Sequence, residues 1–291
     1  MDSPFDPQPY TLAEAVDPLV RRVLARNPSP FTYTGTQTYV VGAGSDVAVI
    51  DPGPDEPEHI AAILAAAGTA RVAAILCTHT HRDHSPAAAP LAALTGAQVV
   101  GCAALTLADD GPRADASFDP HYQPDTVLKD GETASGDGWT LEAVATPGHT
   151  SNHLCFALPE SGVLFTGDHV MGWSTSVVSP PDGDMTDYLA SLQKLYDREQ
   201  DRVYLPAHGP AIDKPRQLVR GMIGHRRSRE KQILGQIGQG RTRIAQMVPH
   251  MYKGVDERLW PAAGRSVHAH LIDLERRGLV KLTDQDWLLP A

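Results

Sequence analysis

The sequence predicts an α/β fold: a sandwich of strands and helices with mixed sheets inside, followed by a small helical unit. Three observations lead there. Short β-branched and aromatic runs alternate with helical stretches, and some strands are joined by tight turns while others are separated by a helix. Val72–Cys77 is continuously apolar, the pattern of a strand buried on both faces. After His208 strands give way to three helical segments and a short hairpin. At 291 residues the chain can bury one large core, or a large and a small one.

The elements follow in order. Tyr33 to Val41 and Asp46 to Ile50 read as a hairpin turning at Gly42-Ala43-Gly44. Asp51-Pro52-Gly53-Pro54 ends the second strand, a helix runs from Pro57 to Ala67, and Gly68 stops it. After Val72–Cys77, Ser85 is the expected N-cap of the next helix, with Pro86 at its first position and Gly96 at its end. Gln98–Cys102 returns as a strand, and 109–126, rich in Asp, Pro and Gly, is expected to be a loop at the site's edge. Trp139–Ala145, Leu154–Leu158 and Val163–Thr166 are strands. Asp184 caps a helix bearing Tyr188, Leu189, Leu192 and Leu195 on one face, and Val203–Leu205 is a final short strand. A long helix then opens at Asp213 and Pro215 and reaches Ile233–Ile237. Arg243–Tyr252 and Ser266–Arg277 are helices, and Gly278–Leu289 forms a hairpin, together the outline of a winged helix. The division expected is residues 1–212 and 213–291.

Net charge is −10, unevenly spread. Residues 1–200 carry 9 Lys/Arg against 26 Asp/Glu, whereas 201–291 carry 16 against 9. The excess lies in 213–243, with nine basic residues against Asp213 and Glu230. The N-terminus has neither a basic nor an apolar region of the secretory kind, and no stretch approaches the roughly 18 apolar residues of a membrane span. Cytoplasm is therefore the expected compartment. Cys77, Cys102 and Cys155 read as small buried strand residues in a reducing environment.

The densest chemistry lies in Thr78-His79-Thr80-His81-Arg82-Asp83-His84, where a buried strand gives way to a helix. Neutral imidazoles and a carboxylate crowded there are costly unless a cation occupies them. Residues two apart on an extended segment point the same way, so His79 and His81 can grip one ion, while Asp83 and His84 are directed to a neighbouring position. Four ligands cannot complete two shells. His149, Asp168 and His208 each follow a strand in a Gly-containing turn. One arrangement gives His79, His81 and His149 to a first ion and Asp83, His84 and His208 to a second, with Asp168 bridging.

This order, HxHxDH then His, Asp and His, resembles the metallo-β-lactamase superfamily from about Thr36 to Pro210. The resemblance implies an αββα sandwich with two metals at one edge of the sheets. The phrases GTQTYVVG, VIDPGPD, TPGHTSNH and AHGPAI, followed by His225-Arg226-Arg227-Ser228-Arg229-Glu230, look like the branch called β-lactamase-like protein 2. That branch carries a C-terminal winged helix and includes single-strand endoribonucleases. Several true lactamases have Cys where this chain has Asp168, and an Asp suits the bridged arrangement of glyoxalase-II-like and nuclease relatives. Flavodiiron relatives carry Glu where this chain has His81, which disfavours a redox role. Two cations roughly 3.5–4 Å apart can share a water, lower its pKa from about 15.7 toward about 7 and deliver a hydroxide nucleophile. Asp83 then orients that nucleophile and passes a proton to the leaving group. Zn²⁺ suits the nitrogen-rich donors, and Fe or Mn also fit mixed His/carboxylate shells.

Of two substrate classes, the first is favoured and the second is the alternative. The branch and the basic helix favour a phosphodiesterase acting on single-stranded RNA. The acidic first part favours a small-molecule hydrolase for thioesters, lactones or β-lactams. A different class altogether is a non-catalytic winged-helix binding protein on a dead hydrolase fold, but all seven expected ligands are present. Arg216, Arg220, Arg227 and Lys231 share a helix sector of about 60° beside an apolar arc of Val219, Met222, Ile233 and Ile237. That stripe is a solvated face, a partner of the acidic part within the chain or in a homodimer, or a track for phosphates. Arg265, His268 and Arg277 are too few for reading DNA sequence, so packing or dimerisation is the expectation for the tail. His153 and His169 are expected to be structural histidines near the site, Asp51 a supporting turn residue, and His59, His121, His225, His250, His268 and His270 solvated or structural. Trp173-Ser174-Thr175-Ser176 either reaches substrate or is a surface connection.

Overall fold

The computed structural model describes residues 9–105 and 118–290. The readings of the extreme N-terminus and of 109–117 lie outside the described residues.

One sheet holds seven strands in spatial order: β1 (Ala13–Asp17), β2 (Val20–Leu24), β3 (Gln37–Val41), β4 (Asp46–Ile50), β5 (Arg71–Cys77), β6 (Gln98–Gly101) and β7 (Thr126–Val127). The first four form an antiparallel meander, and β4 to β7 run parallel. Parallel neighbours need crossovers, which α1 (Pro57–Ala67) and α2 (Ala88–Thr95) provide on either side of β5. The other sheet orders β12 (Val203–Pro206), β11 (Val163–Gly167), β10 (Leu154–Leu158), β9 (Trp139–Ala145) and β8 (Thr133–Gly136). Only β11 and β12 are parallel there, joined through α3 (Met185–Tyr196).

Burial explains the layering. Val41, Val49, Ile75, Leu141, Phe156, Phe165 and Leu205 join the two sheets in one core, which also takes Ile60 and Ile63 of α1 and Leu91 of α2. On the far face of the second sheet, Cys155, Leu164 and Tyr204 pack against Tyr188, Leu192 and Leu195 of α3. Asp184 caps α3 by accepting from the N–H groups of Thr186 and Asp187. The result is helices outside two sheets.

The next helix, α4 (Pro215–Gly238), belongs to two cores. Val219 and Met222 pack on α3, whereas Ile233 and Ile237 join Met247, Val267, Leu271, Leu274 and Trp287. Those residues come from α5 (Ile244–Met251), α6 (Trp260–Arg276) and the hairpin β13 (Lys281–Thr283) and β14 (Asp286–Leu288). Among the described residues no helix is long and apolar enough to cross a membrane.

Several details differ from expectation, among them the short strands β7 and β8, which no expected strand covers. The hairpin β1–β2 was not foreseen, because charged Glu14, Asp17, Arg21 and Arg22 interrupt its alternation. The strand expected from Tyr33 starts at Gln37, since Tyr33 and Gly35 have positive φ and form a turn. Ser85 does not cap α2; its hydroxyl donates to Asp119, and Ala87 precedes the helix without a side-chain cap. The helix expected from Ser266 begins at Trp260, with Pro261 in its first turn, where a missing N–H costs nothing.

Candidate metal centre

The site lies where five strands end. β4 runs into Asp51, β5 into Thr78–His84, β9 into the loop holding His149, β11 into Asp168 and β12 into His208. Two glycines allow the sharp turns. Gly148 has φ +133 and lies so close to α3 that a Cβ would stand 2.3 Å from the Tyr188 Cα. Gly167 has φ +49, and a Cβ there would come within 2.7 Å of both His153 and Thr78.

The structure brings all seven expected side chains together in two groups: His79, His81, His149 and Asp168, and beside them Asp83, His84 and His208. In the first, His81 Nδ1 lies 3.0 Å from His79 Nε2 and 3.1 Å from His149 Nε2. In the second, His208 Nε2 is 3.1 Å from Asp83 Oδ2, and His84 Nε2 is 3.4 Å from the same oxygen. Asp168 stands between them. Its Oδ2 is 3.8 Å from His149, and its Oδ1 is 3.6 Å from His84 and 3.3 Å from His208.

The outer nitrogens are already committed, which fixes the tautomers. His149 Nδ1 donates to the Val177 carbonyl at 2.6 Å, His208 Nδ1 to the Gly35 carbonyl at 3.2 Å, and His84 Nδ1 to Asp51 Oδ2 at 3.1 Å. Asp51 also accepts from the Thr78 N–H and hydroxyl, each at 2.8 Å. With its proton spent on Asp51, the Thr78 hydroxyl is left to accept from His79 Nδ1 at 3.0 Å. The Nε2 atoms of these four rings therefore point inward.

Electrostatics makes the same demand. Burial, then neighbouring His84, His81 and His149, hold His79 well below the ordinary imidazole range, so its ring is neutral. Burial opposes charge on His84, yet Asp83, Asp168 and Asp51 outweigh it and raise its pKa well above normal. His208 is raised too, burial being outweighed by Asp168 and Asp83. Asp83 and Asp168 are held below the usual carboxylate range, because nearby histidines outweigh the burial penalty. Among the described residues, Asp83 Oδ1, His84 Nε2, Asp168 Oδ1 and His208 Nε2 are buried without hydrogen-bond partners. Buried carboxylates that draw protons onto His84 and His208, beside polar atoms left unsatisfied, fit divalent cations, whose charge would replace those protons.

Supporting residues divide into those foreseen and those missed. His153 holds the loop: its Nε2 accepts from the Asp168 N–H at 3.3 Å and its Nδ1 meets the Thr146 hydroxyl at 2.9 Å. His169 packs on Tyr188, and burial lowers its pKa to about 3. Cys77 and Cys102 are buried thiols, pushed up by burial. Gln37 was missed. Its amide donates to the Pro206 and Gly209 carbonyls, and the Tyr39 hydroxyl also reaches Pro206, so β3 pins the His208 loop.

A cavity of about 120 Å³ opens over His81, Asp83, His149 and Asp168, walled by Pro30, Phe31, Met171, Trp173, Ser174 and Val177. Trp173 stacks on Tyr33 with ring centroids 5.0 Å apart. The segment after Asp168 thus lines the mouth. Phe31 and Pro30 come from a loop whose role had no signal beyond a Pro-flanked aromatic residue. Beside them, Phe118 bridges the backbone of His81, so the described end of the edge loop does run along the site.

The basic stripe is spread over several uses. Arg216 lies over the Tyr196 ring, donates to the Tyr196 carbonyl and pairs with Glu199 at 3.3 Å. Arg220, Arg227 and Lys231 are exposed. Arg226, outside the stripe, is buried.

Residues 32–208 match the family described as the Metallo-beta-lactamase superfamily, and 244–287 match the Beta-lactamase associated winged helix domain. A Beta-lactamase-like protein 2 homolog of Drosophila melanogaster is 33% identical over 276 residues, covering 91% of this chain and 90% of that one. An Atrochrysone carboxyl ACP thioesterase of Aspergillus fumigatus is 33% identical over 224 residues, covering 76% and 65%. A metallo-beta-lactamase family protein from Thermus thermophilus superposes with a TM-score of 0.77 at 22% identity, covering 95% of this chain and 100% of that one.

Proposed function

Since this chain belongs to the metallo-β-lactamase superfamily, a family of hydrolases, we propose that it hydrolyses a small thioester or similarly activated acyl compound with the help of two divalent ions. His79, His81 and His149 would hold the first ion and Asp83, His84 and His208 the second, with one Asp168 oxygen facing each. When bound, the ions act as Lewis acids that acidify water toward a pKa of about 7 and polarise the substrate carbonyl; Zn²⁺ suits the nitrogen-rich donors, with Fe or Mn as alternatives.

The chain's own residues supply the rest. Asp83 turns Oδ2 toward His208 and His84, where it would meet the second ion, which leaves Oδ1 to take a proton from the attacking water and return it to the leaving group. Phe31, Met171, Trp173 and Val177 give the acyl portion an apolar wall and shield the mouth from bulk solvent.

The observation that carries this reading is the character of that wall. Among the described residues it is apolar and holds no Lys or Arg, whereas a polyanionic strand is gripped chiefly through such cations. The resemblance to a carrier-protein thioesterase points the same way. A second reading, cleavage of single-stranded RNA, is favoured by two aromatic rings at the mouth, on which bases could stack, and by exposed Arg220 and Arg227.

A panel of thioester, lactone, β-lactam and single-stranded RNA substrates separates them, run on wild type and Asp83→Ala with metal content measured in both. The expected result is metal-dependent thioester turnover in wild type, with kcat lower by about 10²–10⁴ in the variant. RNA cleavage without acyl hydrolysis would overturn the proposal.

A further inference from the structure

Arg226 is the one arginine of α4 that is buried, at 3% exposure, and a charge in such a place needs partners. Its guanidinium lies 5.0 Å from the centre of the Tyr188 ring, and its Nη2 donates to the Ser176 carbonyl. A further nitrogen approaches the Ser266 hydroxyl of α6 at 3.5 Å. Ser176 precedes Val177, the residue whose carbonyl receives the His149 Nδ1 proton at 2.6 Å. The Tyr188 hydroxyl in turn donates to the carbonyl of His169, next to Asp168.

We propose that Arg226 is a positioning residue: from the helix that joins the two cores, it fixes the 174–178 segment so that the Val177 carbonyl holds His149 in the tautomer and orientation the first metal site requires. The inference rests on reading His79, His81 and His149 as ligands of that ion. The path from Arg226 to His149 is one hydrogen bond, one peptide link and a second hydrogen bond. The second group is oriented by Asp51 and Gly35, neither of which Arg226 touches. Loss of the guanidinium therefore acts on one ion and spares the other. Arg227, its exposed neighbour, supplies a control of equal charge on the same helix.

The test uses the full chain as wild type, Arg226→Met, Arg226→Lys and Arg227→Met. Binding of Zn²⁺ is measured by dialysis against buffered metal, and Co²⁺ absorption spectra are recorded, with thermal unfolding as a check on folding. His149→Ala and His208→Ala, each removing a donor from one group, identify which ion a change concerns. Arg226→Met is expected to bind the first ion about tenfold more weakly, or worse, with an altered spectrum for that ion and the second site within about twofold of wild type. Arg226→Lys keeps one donor and is expected to weaken the first site by only about threefold, and Arg227→Met to match wild type. If Arg226→Met does not fold, Arg226→Lys decides by the same criterion. Wild-type binding at both sites in the Arg226 variants overturns the proposal, as does equal weakening of both. Wild type that binds no pair of ions instead overturns the reading of the site itself.

Discussion

Replacing Asp51 by Asn tests whether the second metal site depends on a carboxylate that touches no ion. Asp51 is 2% exposed and accepts three hydrogen bonds, from the Thr78 N–H, the Thr78 hydroxyl and His84 Nδ1. Its φ of 47° lies in the left-handed region, which Asn tolerates about as well as Asp, so the backbone is left as it is. One amide oxygen can keep the Thr78 N–H. The amide nitrogen then stands where Oδ2 received protons, facing His84 Nδ1 and the Thr78 hydroxyl donor to donor. Relief comes if His84 moves its proton to Nε2, which takes the lone pair away from Asp83 and Asp168. Losing such an orienting bond costs about 10–100-fold in metal affinity, or about 1.4–2.7 kcal/mol. The assay is zinc occupancy per chain in a series of metal buffers, followed by hydrolysis at full and half occupancy. The second ion is expected to be lost first, with a smaller weakening of the first, because the Thr78 hydroxyl that orients His79 also loses its acceptor on Asp51. An Asn variant that keeps both ions at wild-type affinity, or loses the His79–His81–His149 ion first, refutes the argument that His84 is aimed by Asp51.

Two further outcomes follow from packing and burial. Gly148→Ala places a methyl group 2.3 Å from the backbone of Tyr188 in a positive-φ conformation, so either α3 or the His149 loop must shift; about 2–5 kcal/mol of stability should disappear in denaturant unfolding, together with first-site metal affinity. His59 is buried against the Thr38 hydroxyl, and burial, only partly offset by the Pro52 carbonyl, lowers its pKa to about 4. Since the unfolded ring titrates near 6.5, the unfolded chain binds the extra proton as pH falls from about 6.5 to 4. Stability from the neutral ring is intact above 6.5 and declines below it, by about 2 kcal/mol between pH 7 and pH 5. Chelator-treated wild type and His59→Asn, unfolded in urea at both pH values, should differ in slope by that amount, and parallel profiles would show that folding leaves the His59 pKa unchanged.

The clustering of the seven donor side chains was legible because their chemistry is dense and local. Four donors within Thr78–His84 follow a wholly apolar strand, and His149, Asp168 and His208 each stand beside a glycine that bends the chain after another strand. What escaped was whatever depends on tertiary partners. Ser85 has the identity of a cap, but Asp119 offers its hydroxyl a better acceptor. Arg226 lies on a helix whose basic residues read as a stripe at 100° per residue. Angular position alone does not reveal that Tyr188 and the Ser176 carbonyl would enclose this particular side chain. Phe31 lines the mouth only because Tyr33 and Gly35 turn the chain back toward Trp173, a consequence of positive φ that the apparent strand Tyr33–Val41 concealed.

The charge asymmetry between the two parts of the chain is accounted for in the same way. Of the basic excess after residue 200, Arg216 pairs with Glu199, Arg276 with Asp184, and Arg277 with Glu230 and Asp273. Arg243 pairs with Asp286, and Arg226 is enclosed. Exposed pairs of this kind contribute little stability each, within about 1 kcal/mol, but two of them cross between the acidic sandwich and the later helices and so set how those parts meet. Of the stripe itself, Arg220, Arg227 and Lys231 remain exposed, and none of them lines the cavity over the histidines. Cations that hold the helices against the sandwich cannot also release counterions from a nucleic acid. On the proposed reading, positive charge at the reacting centre would come from bound ions, and the apolar walls of the mouth would select an acyl group.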